Sequence, residues 1–285
     1  MLKNKSMKIS FEFYPPKNNI DNINLLNTAK KFLQYNPFFY SVTFGANGSN
    51  QKKTYDIVDM LYNSNLSVAP HISCIGSFEK ISNLIQCYKK KGIKHLVVLR
   101  GDISYKNKKK LIYEKGKKFF HASDLVKFIR IETGNYFHIS IAAYPEYHPE
   151  SRNPNIDLKY FIYKNNQGAN QAITQFFFNS DAYFYFIENC KKHNVTTDII
   201  PGIMPITNYK KLAIFSNKCH AEIPKWIREK LFFLEEKGDQ IGLQKFGEKV
   251  ITLLCENLLK NGAPGLHFYT LNQFEPTYSI LRNLV

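Results

Sequence analysis

The chain has 285 residues, 44% of them hydrophobic, which is enough for one large core, and no apolar stretch reaches the length of a membrane-spanning helix. A formal net charge of +16 invites a nucleic-acid partner, yet the lysines are spread along helix faces and loops, as in Lys89–Lys91 and Lys108–Lys110. Asn, Ile, Lys, Tyr and Phe are abundant together, as AT-rich coding produces, so the basicity is read as a solvated surface that attracts anionic cofactors or substrates, with no nucleic-acid and no membrane partner.

The basic start, Met1–Lys8, leads into an apolar run interrupted by Glu12 and then Pro15-Pro16, unlike a signal peptide. Residues 1–7 are expected to be a disordered extension, with Met7 as an alternative initiator. Five cysteines (Cys74, Cys87, Cys190, Cys219, Cys255) are odd in number and contain no CxxC pair. They are read as buried thiols of a reducing cytoplasm, not as a disulfide framework or a structural zinc site.

Eight short apolar runs follow in order, each succeeded by a helix-like stretch: Lys8–Phe13, Phe39–Thr43, Ser67–Ile72, His95–Leu99, His138–Ala143, Gln171–Gln175, Asp198–Ile203 and Gly265–Tyr269. Continuous Val/Ile/Phe runs suit strands buried on both faces, and alternation with helices implies a parallel sheet. Eight such units predict an α/β fold, a single-domain (β/α)8 TIM barrel over residues 1–285. Its active site belongs where the strands finish.

In the first run, alternation sends Ile9, Phe11 and Phe13 toward the helices and Ser10 and Glu12 into the barrel. A carboxylate among aromatic neighbours loses solvation, which raises its pKa toward the range of a general acid. A salt-bridged core carboxylate is the alternative, and the strand alone does not choose between them. Ser41 and Thr43 share the inward face of the second run, and the small residues of Gly45–Ser49 let backbone approach a ligand. Leu99-Arg100-Gly101-Asp102 ends the fourth run, where a glycine beside a negative charge suits a cofactor site. Ser104–Lys118 is a low-complexity loop expected to be mobile and close to the rim. After the fifth run, Tyr144 can stack on a planar ring and His148 can donate to a phosphate or ribose. Gln175, ahead of Phe176-Phe177-Phe178, offers a donor and an acceptor to a heterocycle.

These residues carry a resemblance. Phe11-Glu12-Phe13-Tyr14-Pro15-Pro16-Lys17 resembles the FEFFPPK opening of the methylenetetrahydrofolate reductases. Ala69-Pro70-His71-Ile72-Ser73-Cys74, Leu99-Arg100-Gly101-Asp102 and Ala143-Tyr144-Pro145-Glu146 through His148-Pro149-Glu150 match its further motifs in order. So do Gly168-Ala169 through Thr174-Gln175-Phe176-Phe177-Phe178, Ile200-Pro201-Gly202-Ile203 and His267-Phe268-Tyr269-Thr270-Leu271-Asn272.

The resemblance implies a flavoprotein barrel with non-covalent FAD that reduces 5,10-methylenetetrahydrofolate to 5-methyltetrahydrofolate and so feeds methionine synthesis. NAD(P)H, with NADH preferred, reduces the flavin and leaves before folate binds the same face, a ping-pong cycle in which the cofactor carries the hard chemistry. Glu12 matches the family's acid, which protonates the folate so that its ring opens to an iminium. Asp102 matches a carboxylate beside flavin and pterin, whose charge disfavours the anionic reduced flavin. Gln175 matches the amide on the pterin edge, and Phe215 an aromatic that packs on nicotinamide or the folate aryl group. Thr43, His71, Arg100, Gly101, Ala122, Tyr144, His148, Asp157 and Lys164 fall on flavin-associated positions, and Tyr269 on a ligand-associated one. Lys211 and Gln273 replace polar residues that touch folate in relatives. Tyr160 and Tyr163 stand where relatives often carry Asn and a basic residue near the FAD phosphates, which leaves more of the phosphate contact to Lys164. No metal ligand is implied. Bacterial-type relatives are cytoplasmic homo-oligomers, often tetramers. The chain stops soon after Asn272, so no adenosylmethionine-binding domain and no inhibition by that ligand are expected.

Three other readings compete. A metal-dependent barrel hydrolase would need strand-end ligands, but no HxH or HExxH pattern is present. A non-catalytic basic module would bind nucleic acid in a salt-sensitive way and carry no chromophore. A degenerate flavoprotein would fold but not turn over.

Overall fold

A computed structural model describes residues 7–44, 51–101, 119 and 121–284. Its strands are β1 (Lys8–Phe13), β2 (Phe39–Val42), β3 (Val68–Ser73), β4 (His95–Leu99), β5 (His138–Ala143), β6 (Gln171–Thr174), β7 (Asp198–Ile200), β8 (Gly202–Ile203) and β9 (Gly265–Tyr269). The described helices are α1 (Asn19–Lys31), α2 (Gln51–Asn63), α3 (Phe78–Lys91), α4 (Ala122–Thr133), α5 (Pro154–Asn165), α6 (Ser180–Lys192), α7 (Tyr209–Cys219), α8 (Lys225–Glu236), α9 (Gln240–Lys260) and α10 (Glu275–Leu284). Side-chain oxygens start several of them: Asn18, Ser77, Asn153, Asn179 and Asn208 each accept from a backbone N–H of the first turn. No helix among the described residues is long and apolar enough to cross a membrane.

All strand pairs are parallel, in the spatial order β7-β6-β5-β4-β3-β2-β1-β9-β8. The two outermost strands are halves of one predicted run, Asp198–Ile203, which the structure divides at Pro201. Proline has no N–H for a ladder, so the chain changes partner there. β7 pairs with β6 and β8 with β9, and the sheet closes into the predicted (β/α)8 barrel. The Pro201 carbonyl accepts from His267 N at 3.0 Å. Gly202 N, beyond the β6 ladder, donates to Thr174 Oγ1 at 2.8 Å. A Cβ at Gly202 would lie 2.1 Å from the Thr174 carbonyl oxygen, so only glycine fits this seam. Thr174→Val should leave the Gly202 N–H buried and unpaired and cost about 1–3 kcal/mol in urea unfolding.

The predicted bounds of the second, third and sixth runs shift by one residue: β2 stops at Val42, β3 runs Val68–Ser73 and β6 stops at Thr174. Ile9, Phe11 and Phe13 face the helix layer as the alternation predicts; Phe11 stacks on Phe32 at 4.0 Å and lies 6.0 Å from Phe268. Of the expected N-terminal extension, residues 1–6 lie outside the described residues, and Met7 packs partly buried against the core. Cys74, Cys190 and Cys255 are buried thiols, whereas Cys87 and Cys219 are half-buried.

Inside the barrel, Phe39, Ala69, Val97 and Ile173 form a small apolar plug. At the strand starts below it, His95 and His138 lie 5.3 Å apart, ring to ring. Burial, and then His138, pushes His95 down from the ordinary 6.5 to about 4. Burial also lowers His138. The unfolded chain therefore binds more protons than the fold below pH 6.5, and stability is lost as pH falls toward 4. The His95 contribution to that loss is on the order of 3 kcal/mol. The urea midpoint should fall across this window, and fall less in His95→Gln.

Candidate active site

Glu12 sits near the finish of β1, opposite Ser41 of β2 and Tyr269 of β9. Its side chain is only 19% exposed, and its Oε2 lies 3.3 Å from His71 Nε2 and 3.5 Å from His267 Nε2. Ser41 Oγ donates to the same oxygen at 3.5 Å. Behind it, Ser10 Oγ and His267 Nδ1 are 2.7 Å apart, which fixes the imidazole on its far side. Parallel register brings these groups together, because Ser10 pairs with His267 and Glu12 with Tyr269.

The expected rise of the Glu12 pKa is corrected here. Burial is the largest influence and does raise it, but His71 and His267 together outweigh burial and hold the carboxyl at about 2. That lowering depends on imidazolium charge and on hydrogen bonds to the carboxylate. With both imidazoles neutral, the raising effect of burial meets much less opposition. His267 is the member of this cluster that sequence reasoning did not assign; its place two residues before Tyr269 on an inward face was the available signal.

A second cluster carries positive charge. Arg100, just past β4, contacts Glu150 Oε2 at 2.8 Å through Nη1. Lys164 of α5 donates to the Ala142 carbonyl at 2.6 Å, and burial pushes its amine down to about 8 against the opposing pull of Asp157. Asp157 is buried, and its carboxyl is raised by that burial. His148 lies edge-on to Tyr144 at 4.7 Å and accepts from Glu150 N at Nδ1. Burial and then Arg100 lower its pKa, so it stands as a neutral imidazole. Tyr160 and Tyr163 of α5 are 65% and 56% exposed. Ala122 opens α4, where helix N–H groups favour an anion.

Tyr269 donates to the Thr174 carbonyl at 2.7 Å, and burial keeps its hydroxyl protonated. Glu12, Tyr144 and Cys219 are its electrostatic neighbours, so the two clusters and the end of α7 adjoin one mouth. Gln175 Oε1 accepts from Phe176 N at 3.0 Å. Thr43 continues β2 with a bond from its N to the Phe13 carbonyl at 2.9 Å. Gly101 has φ +80, and a Cβ there would lie 2.9 Å from Ser73 Cβ. Phe215 of α7 is 37% exposed. Lys211, in the first turn of α7, and Gln273, after β9, are both exposed and make backbone contacts that hold their own turns. Asp102, the Gly45–Ser49 loop and Ser104–Lys118 lie outside the described residues.

A family model described as methylenetetrahydrofolate reductase matches residues 1–285. The chain is 39% identical over 280 residues to the 5,10-methylenetetrahydrofolate reductase of Buchnera aphidicola subsp. Schizaphis graminum, covering 97% of this chain and 91% of that one. It is 34% identical over 280 residues to the enzyme of that name from Escherichia coli, with 98% and 90% covered. It is 32% identical to methylenetetrahydrofolate reductase (NADH) 1 of Zea mays, with 96% of this chain and 48% of that one covered. Among solved structures, an uncharacterised protein from Clostridium thermocellum that binds two copies of 5-methyl-5,6,7,8-tetrahydrofolic acid superposes with a TM-score of 0.61 at 19% identity, covering 99% of this chain and 95% of that one. That likeness concerns the barrel fold.

Proposed function

The chain belongs to the methylenetetrahydrofolate reductase family, and we propose that it works with non-covalent FAD and with NADH as electron donor, the two substrates using one flavin face in turn. The carrying observation is the Glu12–His71–His267 cluster set at the barrel mouth beside the cationic cleft of Arg100, His148 and Lys164. The residues present fit the cofactor. Two cations and a neutral imidazole suit a diphosphate, Tyr144 offers a ring to stack on, and Gly101 admits close backbone approach. Bound FAD supplies hydride chemistry that no side chain of this cleft provides.

The protein's own part is to bind, orient and hold a proton. Ser10 orients His267; His267 and His71 face Glu12 Oε2; and Glu12 is the group that hands a proton to the folate. Gln175 and Phe215 hold the pterin and aryl ends, and Asp102 keeps its proposed place as the carboxylate beside flavin and pterin. The name of the maize relative supports NADH as donor. The same reading makes the protein a cytoplasmic homo-oligomer that serves methionine synthesis.

An absorption spectrum of the purified protein tests this. Flavin bands should bleach on anaerobic NADH and return with methylenetetrahydrofolate. A protein that stays colourless after incubation with FAD would overturn the flavin reading and favour the basic binding module.

A further inference from the structure

The loop after β5 carries more than Tyr144 and His148. Between them, the Glu146 side chain crosses to a segment far along the chain, and its Oε2 accepts from Glu222 N at 3.0 Å. Both ends of this contact are shaped for it. Tyr147, the next residue, has φ +59, a left-handed conformation uncommon for a tyrosine, and its N donates to the Tyr144 carbonyl at 3.2 Å. His220, which ends α7, has φ +53, and Ala221 N turns back to the Ser216 carbonyl at 3.1 Å. The next free amide, that of Glu222, is thereby aimed at the β5 loop.

The surroundings offer the carboxyl little else. Burial pushes Glu146 up to about 7, the carboxyl of Glu222 adds to that rise, and the Glu222 amide opposes it. A half-buried acid beside a second acid is costly to keep unless the bond it makes is used. The same two segments meet again where His148 feels the charge of His220 and where Tyr269 feels both Tyr144 and Cys219. One wall of the mouth is therefore the β5 loop with its ring-stacking tyrosine, and the other is the end of α7, the helix that bears Phe215.

We propose that Glu146 is a positioning residue for folate reduction: its bond to the Glu222 amide clasps the β5 loop to the end of α7 and sets the width of the cleft that holds the folate. The proposal rests on the folate-reducing reading of the site. It does not place Glu146 on the substrate.

The test compares Glu146→Ala with Glu146→Gln, whose amide oxygen still accepts from Glu222 N. In the alanine variant, backbone hydrogen exchange at residues 220–223 should speed up about tenfold and the KM for methylenetetrahydrofolate should rise by a similar factor, with kcat within about twofold of the parent. The glutamine variant should restore both. Unchanged exchange in Glu146→Ala, or a glutamine variant as impaired as the alanine one, would overturn the proposal. Should Glu146→Ala fail to fold, Glu146→Asp, one methylene short of the bond, takes its place with the same expected readouts. Parent protein that does not reduce methylenetetrahydrofolate would refute the reaction reading by itself, whereas loss of the clasp is read from the exchange data without any turnover.

Discussion

Glu12→Gln is expected to lower folate reduction by about 10³-fold, in the range that loss of a positioned general acid produces, while FAD stays bound and NADH still bleaches it within a few-fold of the parent rate. The substitution keeps size and hydrogen-bonding reach but removes the carboxyl that faces both His71 and His267. A glutamine has no carboxyl to take up and hand on a proton. In the proposed cycle the donor half needs no such proton from Glu12, so the two halves should separate cleanly. Rapid-mixing spectra of each half, recorded on the same preparation, give both rates. Folate reduction within tenfold of the parent would remove Glu12 from the chemistry and leave the cluster a structural ion pair.

The second large effect concerns stability. Arg130 of α4 spreads its guanidinium over four acceptors: Nε to the Gly168 carbonyl at 2.8 Å, Nη1 to those of Gly134 at 3.0 Å and Phe137 at 2.9 Å, and Nη2 to Asn170 Oδ1 at 2.6 Å. Asn170 Oδ1 also accepts from Ile139 N, so one side chain ties α4 to the entries of β5 and β6. Gly168, at φ +115, lies against it so closely that a Cβ would stand 2.9 Å from Arg130 Cγ. Arg130→Ala removes all four of these bonds and should cost about 3–5 kcal/mol. For a chain of this length that is a fall on the order of 10 °C in the thermal midpoint. Arg130→Lys should not rescue it, since a single ammonium cannot match a planar fork with several fixed donors. A midpoint within about 2 °C of the parent would show that the network contributes nothing net.

What the sequence determined alone was whatever depends on near neighbours in the chain. Alternation of apolar residues marked the strands, and β1, β4, β5 and β9 have the predicted bounds. The same alternation sent Ser10 and Glu12 inward, because side-chain direction along a strand repeats every second residue. The ordered motifs named the family, which the whole-chain match bears out. Tertiary structure decided what depends on charges and donors brought from distant segments. The division at Pro201 follows from partners on both sides of the barrel seam. The ionisation of Glu12 reverses because β3 and β9 deliver two imidazoles to it, and no pattern within Lys8–Phe13 records that. The depression of His95 by burial and His138, and the reach of Glu146 to Glu222, are likewise invisible to periodicity. A strand's face is a local property, whereas a pKa or a clasp belongs to the space the folded chain encloses.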